Sequence, residues 1–258
     1  VSKFGGYKQT DIRKMLAGKQ AQASGSMGSQ NEYISGGSSR QDLETMMQLV
    51  YLQFQPLQPD MDAAQNMMTQ YYTMLQGKES NPLSWYSDSV SSTLYGKNPR
   101  NIVMKKELLP AINYKRALEI WADRFADASD FTFFFVGTFN EDTLSKYCCQ
   151  YLATLPTVKR NDKPVYTDLV IRKGNIQNIY KAKMEQPQAI ASLVMHTPAK
   201  KKNIKDEIVM SILGQAMQMN YTKTIREDLG ASYGVGASGS HYDGNDGKWN
   251  YMFSVQGN

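Results

Sequence analysis

Residues 225–235 read Ile225-Arg-Glu-Asp-Leu-Gly-Ala-Ser-Tyr-Gly-Val235. A helical stretch carrying Arg226 meets Gly230, a residue that stops helices by taking the left-handed conformation. The chain beyond it, with Tyr233, has strand character. Arg226 and Tyr233 are seven positions apart with a helix stop between them, so one helix–strand corner can bring a guanidinium and a phenol to the same side. Two such donors suit a carbonyl oxygen that gains negative charge, as amide hydrolysis requires. Alternatively, Arg226 pairs with Glu227 or Asp228 and Tyr233 simply packs. From the residues alone both readings stay open.

Outward from this corner, Ile204, Ile208, Ile212, Leu213, Ala216 and Met217 mark one face of a preceding helix, which continues as a short helix from Tyr221 to Leu229. Residues 231–239 and 248–255 read as strands, joined by Asp243-Gly-Asn-Asp-Gly247 with hairpin-turn chemistry. Residues 165–171, 176–184 and 188–197 also alternate or run apolar like strands. Pro198-Ala-Lys-Lys-Lys202 is a loop.

Further upstream, Leu43, Met46, Met47, Val50, Tyr51 and Phe54 line a helical face, with Ser39 and Asp42 in a capping-box-like arrangement at its start and Pro56 at its end. A second helix is expected from Asp60, with Ala64, Met67, Met68, Tyr71 and Leu75 inward and Gly77 as its stop. Asn98-Pro99-Arg100 is a loop. Asn113 caps a helix burying Ala117, Trp121 and Phe125. Phe131 to Val136 is the longest apolar run; closed by Gly137, it predicts a strand covered on both faces. A helix from Glu141 follows, with Leu144, Tyr147, Cys148, Tyr151, Leu152 and Leu155 on its face and Pro156 as its stop. Helix, strand, helix in this order predicts an α/β (α+β) layer structure. The polar stretch from Pro156 to Pro164 is the candidate linker, giving domains 1–157 and 158–258.

The chain has 258 residues, 41% of them hydrophobic and 21% charged, ample for a core without disulfides or metals. No apolar run is long enough to span a bilayer. No secretory signal is visible at the start, but Val1 is not expected to be a natural beginning, and the chain stops at Asn258 just after a predicted strand. The reading therefore expects a piece of a longer protein with both domains incomplete, and the missing signal says nothing about compartment. The net charge of +5 comes from scattered basic residues, with Lys200-Lys201-Lys202 the one run, so no nucleic-acid binding is expected. Cys148 and Cys149 are adjacent within a helical pattern; a small core residue is expected there, with a redox pair as the functional alternative.

Zinc is not expected in this chain. Neither His196, at a predicted strand end, nor His241, in a predicted turn, has a second histidine at ligand spacing, and neither H-E-x-x-H nor H-x-x-E-H occurs. No G-x-S-x-G elbow or P-loop ending is present, and Gly234-Val-Gly236 follows a helix where dinucleotide binding needs it to precede one.

The segment 226–235 resembles the R-E-x-L-G-x-x-Y-x-V corner of the pitrilysin/insulinase family of zinc peptidases. Arg124-Phe-Ala-Asp-Ala-Ser-Asp-Phe-Thr-Phe-Phe-Phe-Val-Gly137 is similar to that family's strand before a Val-Gly turn, followed by a helix ending in Tyr151-Leu-Ala-Thr-Leu-Pro156. Leu16-Ala-Gly-Lys19, Ile34-Ser-Gly-Gly-Ser-Ser-Arg-Gln-Asp-Leu-Glu44 and Leu94-Tyr-Gly-Lys-Asn-Pro-Arg100 look like its bacterial, periplasmic-type proteases. The resemblance covers nearly the whole chain. The set in this order is specific, whereas any single piece is weak.

The resemblance implies two metallohydrolase-like domains of mixed or antiparallel sheet covered by helices, together part of a C-terminal, non-zinc half. An N-terminal half, in the same chain or a partner subunit, would carry the inverted zinc motif, so zinc belongs to the parent enzyme and this chain alone is inactive. The two halves would close like a clamshell around a peptide substrate. Arg226 and Tyr233 map onto the family's substrate-binding Arg and Tyr; no catalytic or metal residue maps onto this chain. A periplasmic or cell-envelope location is implied. The alternative is a non-catalytic structural or binding subunit of the same fold.

Overall fold

The computed structural model describes residues 2–28, 30–160, 162–183, 188–230, 232 and 234–257. In chain order the elements are β1 (Ser2–Phe4), α1 (Gln9–Met15), β2 (Ala21–Met27), β3 (Glu32–Ser38), α2 (Leu43–Gln53), β4 (Leu57–Pro59), α3 (Met61–Glu79), α4 (Pro82–Tyr95), α5 (Tyr114–Arg124), α6 (Glu141–Tyr147), β5 (Ala191–Pro198), α7 (Ile204–Tyr221), β6 (Val235–Asp243) and β7 (Trp249–Gly257). Single π-helical turns continue α6 through Leu152 and α7 through Asp228. The fold is mixed α/β, and the described strand pairs are antiparallel. Four helices start on an asparagine whose side chain accepts a first-turn N–H: Asn81, Asn113, Asn140 and Asn203.

The chain divides into two compact units, Val1–Met74 with Lys105–Pro164, and Leu75–Met104 with Val165–Asn258. This differs from a division at 157/158, because residues 75–104 group with the later stretch. Arg172 N–H donates to Leu94 O at 2.8 Å, Asn98 Nδ2 to Asp168 O at 3.1 Å and Asn178 Nδ2 to Thr93 Oγ1 at 2.6 Å.

In the first unit the β2–β3 hairpin pairs Ala21 with Ser38 through Met27 with Glu32. Helix α2 lies against it, and Gly25 N–H donates to Gln53 Oε1 at 3.1 Å. At the start of α2, Ser39 Oγ accepts from Asp42 N–H at 3.2 Å and donates to Asp42 Oδ2 at 2.8 Å. Val50, Phe54, Phe125 and Leu155 form the core, with Trp121, Phe131, Phe133 and Leu152 packed against it. The aromatic rings meet at short range: Trp121 stacks on Phe125 with centroids 4.4 Å apart, and Phe54 meets Phe131 edge to face at 5.0 Å. Ala117 is exposed, so α5 buries Trp121 and Phe125 without it.

Phe131 to Val136 corrects the expectation of a strand covered on both faces. The segment is extended but pairs with no strand among the described residues. Phe131 and Phe133 turn inward, whereas Phe134 is 84% and Val136 98% exposed. An apolar run fixes an extended backbone but not a covering layer on its second face. The stretch read as a linker is fastened to this unit. Asp127 accepts from Arg160 N–H at 2.5 Å, and Arg160 Nη1 donates to Asp123 O at 2.6 Å. Arg124 Nη2 meets Asp162 Oδ2, also at 2.6 Å.

Helix α3 runs through Gly77 to Glu79, contrary to the expected stop, because Gly77 keeps a negative φ; the chain breaks at Asn81-Pro82, where α4 begins. Helix α4 has no counterpart in the sequence reading, although Leu83, Tyr86, Val90 and Leu94 fall at helical spacing along it. Tyr71, expected to point inward on α3, is exposed.

In the second unit the sheet order is β5-β7-β6. Residues 165–171 and 176–183 form no strand, and Met184 lies outside the described residues. The hairpin starts later than expected, at Val235, and turns over Gly244–Lys248, with Gly244 N–H on Lys248 O at 2.8 Å and Gly247 at φ +73°. Helix α7 faces the sheet with the side opposite to the expected one. Ile204 and Ile208 are 67% and 54% exposed, and Ile212 and Leu213 are exposed too. Gly214 is the buried residue, and a Cβ there would lie 2.5 Å from Gly239 N. At Gly214 the helix backbone comes close to that of β6, and periodicity of large apolar residues cannot reveal such a contact.

Candidate functional site

The corner after α7 is built from a helix that loosens before it ends. Leu229 N–H donates to Thr224 O at 3.1 Å, the five-residue step of the π turn Thr222–Asp228. Such turns recur at functional sites. Gly230 follows at φ +59°, a left-handed stop that favours glycine. Arg226 sits in the π turn with its side chain exposed. Among the described residues its side chain has no hydrogen bond or ion pair, so its guanidinium is paired with neither Glu227 nor Asp228. Tyr233 lies outside the described residues. Its neighbour Ser232 donates through Oγ to Gly234 O at 2.9 Å.

One residue missing from the sequence reading closes the corner. Gln218 Oε1 accepts from Ala237 N–H at 2.5 Å, and its Nε2 donates to Val235 O and, at 3.1 Å, to Thr222 Oγ1. Thus Met210, Gly214 and Gln218, four residues apart on α7, track along β6. A lone glutamine in a helical pattern gives no sequence signal of this kind.

The two histidines are apart in role. His241 corrects the expectation of a turn: it lies within β6, is 6% exposed, and sits beside Trp249 and Tyr251 with ring centroids 4.9 Å from each. His196 lies in β5, 6.3 Å from the Tyr242 ring. Among the described residues no three His, Cys, Asp or Glu side chains converge to hold a metal ion. Among those residues no donor set fits zinc. The thiol of Cys148 is half-buried and pushed up in pKa by burial and then by Cys149, which is exposed. That keeps it protonated and speaks against a reactive pair.

A shallow cleft of about 470 Å³ opens beside the start of α7, lined by Met195, Thr197, Val209 and Phe253. At its wall Tyr251 Oη donates to Asp206 Oδ2 at 2.6 Å, and this bond, with burial, raises the phenol's pKa. Asp206 precedes Arg226 by twenty residues of helix, roughly 30 Å of rise, so cleft and corner are separate features.

The second unit is an antiparallel α/β layer whose long helix ends in an exposed arginine, and no metal-ligating set converges among the described residues. The chain belongs to the peptidase M16 family: the model described as "Peptidase M16 inactive domain" matches residues 112–258, more than half of it. Its fold is similar to that of the periplasmic protease PqqL from Escherichia coli, with a TM-score of 0.73 at 17% identity, covering 99% of this chain and 28% of that one. It is also similar to the ferredoxin protease FusC, solved as a mutant in complex with Arabidopsis ferredoxin, with a TM-score of 0.63 at 13% identity over 97% of this chain and 27% of that one. A peptidase M16 inactive domain from Pseudomonas fluorescens gives a TM-score of 0.63 at 17% identity over 98% of this chain and 61% of that one. The chain thus spans little more than a quarter of the length of the two proteases. A sequence search of curated proteins finds no match. No helix among the described residues is long and apolar enough to cross a membrane.

Proposed function

We propose that this chain is the substrate-binding, non-zinc portion of a zinc metallopeptidase that hydrolyses peptides in a chamber between two halves. The family match over residues 112–258, joined to an exposed Arg226 that is unpaired among the described residues, carries the reading. Arg226 and Tyr233 would donate to the scissile carbonyl as its oxygen gains charge. Zinc and the activated water would be supplied by an N-terminal half, in the same chain or a partner subunit. The periplasmic location of PqqL and the protein ligand of FusC support a cell-envelope enzyme acting on protein-derived peptides.

The test is to measure bound zinc and peptide hydrolysis for the chain alone and for the chain joined to its zinc-bearing half. Alone it should hold no stoichiometric zinc and cleave nothing; joined, it should do both. About one zinc per isolated chain would overturn the reading. A non-catalytic structural subunit is the competing account, and a parent lacking H-x-x-E-H would favour it.

A further inference from the structure

We propose that Gln218 is a positioning residue for the Arg226 corner, acting as a one-residue surrogate strand that closes the corner at its neck. This rests on the reading of Arg226 given above. Among the described residues strand β6 lies at the rim of the sheet, with no strand on its outer side. Val235 C=O and Ala237 N–H point off that rim, two residues apart, as a ladder partner would meet them. A side-chain amide carries the same donor and acceptor as a peptide unit. Gln218 uses both on β6, and Nε2 also reaches Thr222 Oγ1 at 3.1 Å. Thr222 opens the π turn and Val235 opens β6. A single amide therefore ties the entry of the corner to its exit, and Arg226 hangs between them.

The grip on the helix does not depend on this amide. Gly214 against Gly239 already seats the middle of α7 on β6. Gln218 adds bonds only at the end that leads into the corner. Losing them should spare the packing and free the neck, so that ordering the guanidinium opposes each binding event.

Fluorescence anisotropy of a labelled phosphinic peptide tests this, because its tetrahedral anionic centre stands in for the hydrolytic oxyanion. The variants are Arg226→Ala, Gln218→Leu and Gln218→Glu in this chain, with amide exchange at Ala237 read in parallel. Arg226→Ala and Gln218→Leu should each weaken binding, by about tenfold for a charged donor lost or misplaced. Gln218→Leu should also speed exchange at Ala237. The carboxyl introduced by Gln218→Glu can, when neutral, donate to Val235 O and accept from Ala237 N–H; when ionised it only accepts. Gln218→Glu should therefore approach wild-type affinity, measured at the same pH, as pH falls. Weakening by Arg226→Ala but not by Gln218→Leu overturns the role of Gln218 alone. Unchanged binding in both removes the Arg226 reading and the positioning role with it. A Gln218→Glu variant that stays as weak as Gln218→Leu at every pH means general loosening and overturns the proposal.

Discussion

At the scale of single residues, burial of charge and its satisfaction separate function from structure. Asp127 is 2% exposed and accepts from Ser129 Oγ at 2.6 Å, Ser129 N–H at 3.0 Å and Arg160 N–H at 2.5 Å. The Ser129 hydroxyl first, then the backbone donors, hold its carboxyl well below the usual carboxylate range against the opposing effect of burial. A carboxyl lowered in the folded state stabilises fully above its unfolded value near 3.8 and loses that effect as pH falls toward the depressed value. Urea midpoints should therefore fall with acidification below that value. The slope should be shallower in Asp127→Asn, which should also be less stable at neutral pH; equal slopes would contradict this. The cap that Asp127 makes with Ser129 is local, but the donor from Arg160, 33 residues on, leaves no sign in the sequence. Arg226, by contrast, is singled out by its motif; its substrate role stands as the proposal above, and its side chain is exposed and unpaired among the described residues.

At the scale of elements, the sequence identified the helices better than their faces. The Asn cap at 113 and the apolar stripe of α2 are local signals, and they hold. The sheet-facing side of α7 depends on Gly214 meeting Gly239, a contact between residues distant in sequence. Strand pairing is non-local too, which is why residues 165–171 and 176–183 looked like strands and are not. The aromatic run offers a direct comparison. Phe125 is 2% exposed within the core and Phe134 is 84% exposed. Phe125→Ala should cost about 3–5 kcal/mol in chemical unfolding. Phe134→Ser should change stability by no more than about 0.5 kcal/mol. A loss of several kcal/mol at Phe134 would mean that the segment is covered on both faces after all.

At the scale of the whole molecule, the chain joins an antiparallel α/β fold to a helix–strand corner and lacks a metal set among the described residues. The family follows from residues 112–258, and the chain's share of the solved proteases, 28% and 27%, leaves most of their length to other polypeptide. On this account a chamber is shared, with chemistry on one side and substrate donors on the other. Arg226→Ala and Tyr233→Phe in the zinc-bearing protein put that division to its most direct test, read as kcat and KM for peptide hydrolysis. Each variant should lower kcat by roughly 10²–10³-fold, the loss of about 2–4 kcal/mol expected of one oxyanion donor. The zinc content and the thermal midpoint should not change. Unchanged kinetics in both variants would contradict the account.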